Sequence, residues 1–228
     1  MFLLRNEVIR NRVFPFLTWL IILMTVGAYT TAKTLEGFFG FEAASFAQAI
    51  LLTPVGLIGV TVLYFLFFII AYFTAKIKIV NVATSTLFAM LTGIGLFGSI
   101  FYIADLVNAK IVPEALILTS GVFIIAVIYQ FITKKDLSHW SWWLLFLLLV
   151  AIGLTIAEIF VKASWFRIAV DLGIVLLFIF LVMYDTYQIR ERLQDNEWVL
   201  GALNFFLDFA NILIRIIAIL IEIYSRSS

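Results

Sequence analysis

Apolar runs of about twenty residues follow one another from Val13 to Tyr224, parted only by short polar turns. A helix needs about 20 such residues to cross the ~30 Å hydrocarbon core of a bilayer. A chain built this way is expected to be an all-α integral membrane protein. Composition agrees, with 64% hydrophobic and 13% charged residues and a mean hydropathy of +1.16. A soluble domain is nearer half apolar and a quarter charged. No polar stretch is long enough for a soluble domain, so residues 1–228 are expected to form a single transmembrane domain.

Seven spans are expected, at about 13–32, 55–75, 80–104, 114–133, 140–161, 165–189 and 198–224. Arg5, Arg10 and Arg12 precede the first, as in a signal peptide, but a signal core is usually 7–15 residues, so this run reads as a retained span. The apolar region 43–75 is too long for one straight crossing and too short for two, and Pro54, Gly56 and Gly59 offer a bend. An interfacial or tilted segment up to Pro54, then a span, is the reading that fits. Gly93, Gly95 and Gly98 in the third span suit close helix approach, with a kink opening a pore as the sharper alternative. Trp140, Trp142, Trp143, Trp165 and Trp198 sit at expected span ends, where indole rings favour the headgroup layer.

The absence of cysteine excludes disulfides and thiolate sites, and the single histidine, His139, excludes His-rich zinc constellations. His139, beside Trp140, reads as interfacial. Alternate loops carry nine basic residues on one side (Arg5, Arg10, Arg12, Lys76, Lys78, Lys134, Lys135, Arg190, Arg192) and five on the other. The positive-inside rule then puts the N-terminus and the turn between spans six and seven in the cytoplasm. No internal repeat is evident, which counts against the inverted-repeat plan of many transporters. Nothing points to nucleic acid.

Two acids interrupt the last two spans, Asp185 in the sixth and Asp208 in the seventh. A carboxylate within a spanning helix costs a few kcal/mol and by default faces a partner, a cavity or an ion path. The midpoint of the two positions falls in the turn Asp195-Asn-Glu197, so antiparallel helices bring both to similar depth near the cytoplasmic side. If they face, the two carboxylates cannot both ionise cheaply; they share a proton and titrate as a unit. Once the proton is lost, the two charges repel and attract a cation. Calcium prefers carboxylate and carbonyl oxygens, and the weak site that two carboxylates make is what conduction requires. The other reading is a hydrogen-bonded pair that only fixes helix packing.

Arg215 lies two turns beyond Asp208 on the same face, placed to pair with an aspartate, reach a cavity or snorkel outward. Asn204, Asn211 and Gln188 are within about a turn of the acids and could complete a polar network. Lys76 most simply anchors a helix end, and Asp171 and Glu158 read as interfacial. Enzyme readings are thin. A membrane serine protease would need a histidine inside the bundle. Tyr184-Asp185 is shared with intramembrane aspartyl proteases, but Asp208 follows Phe-Phe-Leu rather than their Gly-x-Gly, and their Pro-Ala-Leu element is missing. The chain is read as no enzyme, without a cofactor.

Met183-Tyr-Asp-Thr-Tyr-Gln-Ile189 and Ala202-Leu-Asn-Phe-Phe-Leu-Asp-Phe-Ala-Asn-Ile212 resemble the signature segments of the Bax inhibitor (transmembrane Bax-inhibitor-motif) family. Thr133-Lys-Lys-Asp-Leu-Ser138 resembles that family's loop between spans four and five. The resemblance covers nearly the whole chain. It implies a seven-helix bundle with the last helix central. It also implies a pH-sensitive calcium leak gated by an aspartate pair on helices six and seven, at positions matching Asp185 and Asp208. In some members an acid within the second helix and an arginine at its end complete an ionic latch. Here that helix has no acid and its end offers Lys76 and Lys78, so a lysine or Arg215 would have to substitute. The implied setting is a bacterial plasma membrane, with calcium ions, protons and lipid as partners. The competing readings are a non-conducting regulator binding a membrane protease or cell-death protein, and a proton-coupled transporter.

Overall fold

The computed structural model describes residues 7–52, 69–70, 73, 77–161, 163–194 and 197–227, and these are helical apart from short turns. A π-turn, Ile9–Val13, runs into α1 (Phe14–Leu52). Helix α2 (Lys78–Leu91) passes through a π-segment, Thr92–Phe97, into α3 (Gly98–Val107). Then come α4 (Ile111–Thr133), a 3-10 turn Ser138–Trp140 leading into α5 (Ser141–Phe160), α6 (Ser164–Glu191) and α7 (Trp198–Ser227).

Among the described residues, five stretches are long and apolar enough to cross a membrane: Ile9–Gly37, Ile79–Val107, Ile111–Thr133, Ser138–Glu158 and Ser164–Glu191. These account for five of the seven expected spans. Most of the second, together with Lys76, lies outside the described residues. The segment expected as the seventh forms the continuous 30-residue helix α7, whose apolar run is interrupted by Asp208, Arg215 and Glu222, and it is not among these five. The first helix does not end near Ala32 as expected. It continues unbroken through Leu52, because Lys33, Glu36 and Gly37 carry no signal strong enough to stop it. Lys33 and Glu36, an i,i+3 pair, form a 2.6 Å salt bridge along the helix.

Contacts group the chain into two compact units. One combines Met1–Leu106 with Gln194–Phe206; the other combines Val107–Leu193 with Leu207–Ser228. In the first, Val13 of the π-turn and Leu17, Leu20, Met24 and Ala28 of α1 are buried, a 3–4 residue spacing that lines one helix face. Glycines let the π-segment and α3 press against that face: a Cβ on Gly93 would meet the Met24 backbone, and one on Gly98 would lie 2.6 Å from Thr31 Cβ. The close-approach reading holds for these two. Gly95 has no atom near its Cβ position. The π-segment itself had no sequence signal. Phe88 meets Phe206 edge-on at 6.0 Å in this unit.

In the second unit, Phe123 of α4 packs edge-on against Phe209 of α7, with ring centroids 6.0 Å apart. Trp140 stacks on Phe180 of α6 at 5.9 Å. Helix α4 closes at Lys134, whose φ of 49° is left-handed, the conformation in which helices commonly end. Trp140, Trp142, Trp143 and Trp165 are exposed at helix ends, as the boundary reading expects, and His139 is exposed beside Trp140. Trp198 is not an interfacial anchor: it is buried edge-on against Phe16 at 5.4 Å in the first unit.

Candidate functional site

Asp185 lies in the second half of α6, where Val182, Thr186 and Ile189 give a buried face at 3–4 residue spacing. Thr186 donates its hydroxyl to Val182 O at 2.7 Å, keeping its own polar group inside the helix. Asp208 lies in α7 among Phe205, Phe206, Phe209 and Ile212, all buried, and is itself buried; Asp185 is half-buried. The two carboxyl groups are within hydrogen-bonding reach of each other. Oδ2 of Asp208 is buried without a hydrogen-bond partner among the described residues. A carboxylate only accepts hydrogen bonds, so two acids in contact need a proton between them. Both residues belong to the second compact unit.

The surrounding amides do not build the expected network. Gln188 donates from Nε2 to the Tyr184 hydroxyl at 2.7 Å, one turn back on its own helix. Asn211 donates from Nδ2 to Leu207 O at 2.8 Å. Asn204 sits one turn before Asp208 on α7, half-buried. Among the described residues no group of three His, Cys, Asp or Glu side chains could hold a metal ion. Two carboxyl groups alone supply too few ligands for tight calcium binding.

Arg215 does pair with an aspartate, but with Asp171 rather than Asp185 or Asp208. Its Nη1 lies 2.8 Å from Asp171 Oδ1 and 3.4 Å from Glu158 Oε2, and its Nη2 donates to Thr155 Oγ1 at 2.6 Å. Asp171 is buried, not interfacial, and Glu158 is half-buried in the same cluster. The midpoint of 171 and 215 also falls close to the α6–α7 turn. The arithmetic that flags the first pair would have flagged this one had it been extended.

Two further buried polar groups carried no sequence signal. Arg190 is 3% exposed; its Nη1 donates to the main-chain oxygen of Gln130 at 3.0 Å. It also bridges Glu191 at 2.7 Å. In the sequence it reads only as one of the basic residues on the cytoplasmic side. Gln130 is buried and donates from Nε2 to Lys135 O at 2.7 Å, closing the end of α4.

Compared with known proteins, the chain matches the family model Bax1-I, described as "Inhibitor of apoptosis-promoting Bax1", over residues 5–226. The chain belongs to this Bax inhibitor family. It is 27% identical to the inner membrane protein YbhL of Escherichia coli (strain K12) over 211 residues, 86% of each chain. It is 32% identical to Bax inhibitor 1 of Schizosaccharomyces pombe over 135 residues, 59% of this chain and 49% of that protein. To the Golgi anti-apoptotic protein of vaccinia virus (strain Lister) it is 26% identical over 113 residues, 50% of this chain and 48% of the viral one. The chain therefore matches about half the length of the S. pombe and vaccinia relatives. Five apolar helices and an inner-membrane relative make this Bax inhibitor family member a multi-pass integral membrane protein.

Proposed function

We propose that this protein is a pH-regulated calcium leak channel in which Asp185 and Asp208 form the proton-sensitive gate. The observation that carries the reading is the contact of two carboxyl groups on α6 and α7, with Asp208 buried. With a proton between them the pair ties the helices together. Without it, two like charges ~4 Å apart at an effective dielectric of 20 repel by about 4 kcal/mol, enough to move a packed helix pair between two arrangements. The same charges then attract a divalent cation, and a two-carboxylate site holds it weakly enough to release it. In this reading the protein is not an enzyme and needs no cofactor; calcium is the cargo. The N-terminus and the α6–α7 turn face the cytoplasm of a bacterial cell, and in this reading the last of the seven spans is surrounded by the other six.

The test is calcium entry into liposomes containing the purified protein, measured across pH. Flux that changes with pH in the wild type and loses that dependence in Asp185→Asn and Asp208→Asn is expected. Flux that is absent, or indifferent to both substitutions, refutes the channel reading. The anti-apoptotic name of the vaccinia relative favours a second reading, a non-conducting regulator of a membrane protein. A co-purifying partner still controlled after both aspartates are neutralised would support that alternative.

A further inference from the structure

Outside the dyad and the Arg190 contact, the second unit gathers three charged side chains at one place within its helices. Arg215 of α7, Asp171 of α6 and Glu158 of α5 meet there, with Thr155 completing the arginine's contacts. Two carboxylates face one guanidinium, and Oε1 of Glu158 is buried with no partner among the described residues. Toward the ends of α6 and α7 the charge continues: Arg167 Nη2 lies 3.0 Å from Glu222 Oε2, and Arg226 reaches Glu222 at 3.2 Å. In helices that are otherwise apolar, this is a polar track leading from Asp171 to the exposed helix ends. On α7 it begins seven residues beyond Asp208, about 10 Å of helix rise, on the side away from the α6–α7 turn.

We infer that Glu158, Asp171 and Arg215 form a second ion station on the path that the dyad gates, in which the Arg215 guanidinium occupies the place of a divalent cation between the two carboxylates. The inference rests on the calcium-leak reading given above. Arginine is suited to the role because its planar fork serves two acceptors at once and it stays charged at every accessible pH. Glu158 and Asp171 present oxygen atoms to Nη1 and Thr155 presents one to Nη2, so oxygen donors of the kind calcium prefers surround a single guanidinium. Arg215 is then the fixed positive charge that restrains calcium passage, while the aspartate pair is the titratable gate.

The experiment compares wild type with Arg215→Gln, Arg215→Lys and Asp171→Asn in calcium-loaded liposome assays, with folding checked by thermal unfolding in detergent. Removing the cation while keeping both acids is expected to raise calcium flux by about tenfold or more, and Arg215→Lys should fall between. Asp171→Asn keeps the arginine with fewer carboxylates and is expected to lower flux several-fold; a rise would overturn the inference. Purified Arg215→Gln should also gain a calcium-dependent rise in Tm that the wild type lacks. Dyad-dependent flux in the wild type, unchanged in folded Arg215→Gln, overturns the station and leaves the leak reading standing. No flux in either protein, with calcium raising the Tm of Arg215→Gln, keeps the station and removes the leak. If Arg215→Gln does not fold, the opposite flux responses expected of Arg215→Lys and Asp171→Asn decide the matter.

Discussion

Replacing Gly93 by alanine should destabilise the first unit more than any other single-methyl addition in the third span. The new Cβ would lie 2.9 Å from Met24 C and Cα, whereas carbon atoms rest at about 3.5–4.0 Å. The obstacle is backbone, so no side-chain rotation relieves it, and α1 must part from the π-segment by about 1 Å. A radial gap of that size forfeits a quarter to a half of each contact's attraction. The neighbours that lose it are fully buried: Leu20, Met24 and Phe97. Overpacking of this kind typically costs about 1–3 kcal/mol, and an immovable neighbour puts Gly93 at the upper end. On the scale of domains of this size, about 3 kcal/mol is a Tm loss of about 6–12 °C, readable by circular dichroism in detergent. Gly95→Ala is the control, since its Cβ meets nothing within 4 Å; alanine there should be neutral or stabilising by up to about 1 kcal/mol. Equal melting of Gly93→Ala and Gly95→Ala would refute the argument from close approach.

Other substitutions test the second unit. Arg190→Met removes the buried donor to Gln130 O and should cost about 1.5–3 kcal/mol, as for hydrogen bonds made by charged groups, seen as a lower Tm. Lys134→Gly relieves a left-handed φ of 49° and should raise stability by up to about 1 kcal/mol in the same assay. Asp136, in the exposed loop, accepts the backbone N–H of Ser138 at 2.8 Å. That hydrogen bond, followed by the Ser138 and Tyr187 side chains, holds its carboxyl below the usual carboxylate range. A depressed folded value means the contribution is present above the unfolded value near 3.8 and is lost as pH falls through the folded one. Carbon-13 NMR should show a low-titrating carboxyl that disappears in Asp136→Asn.

The length of the apolar runs makes most of the helices legible, because twenty consecutive apolar residues have one economical use in a bilayer. It failed at the end of the first helix, where charged residues at Lys33 and Glu36 looked like a loop. Along a helix those residues pair at i,i+3 instead of breaking it. The contact between Asp185 and Asp208 was legible as a possibility, since antiparallel geometry fixes depth; the rotation of each helix had no sequence signal. Asp171 and Glu158 read as interfacial in the sequence because an acid near a span end is usually solvated. Only the position of Arg215 on another helix reveals that they are paired. Trp198 misled for a related reason: boundary placement is shared by anchors and by core aromatics at a helix start. Arg190 and Gln130 give no sequence signal of burial, because one contact 60 residues away has no local pattern.

The last helix unites these points. Its polar residues, Asn204, Asp208, Asn211, Arg215 and Glu222, recur at spacings of three, four or seven, which places them on one stripe of an α-helix. The intervening Phe205, Phe206, Phe209, Ile212 and Leu213 are buried. A helix facing lipid has no reason to gather five polar groups on one side, whereas a helix bordering an ion path does. The stripe also separates two kinds of charge along its length: an acid that faces another acid at Asp208, and an arginine already neutralised at 215. A proton can change the first and not the second. That difference is why neutralising Asp208 and neutralising Arg215 are expected to move calcium flux differently: the first should abolish its pH response, while the second should raise its level and leave that response in place.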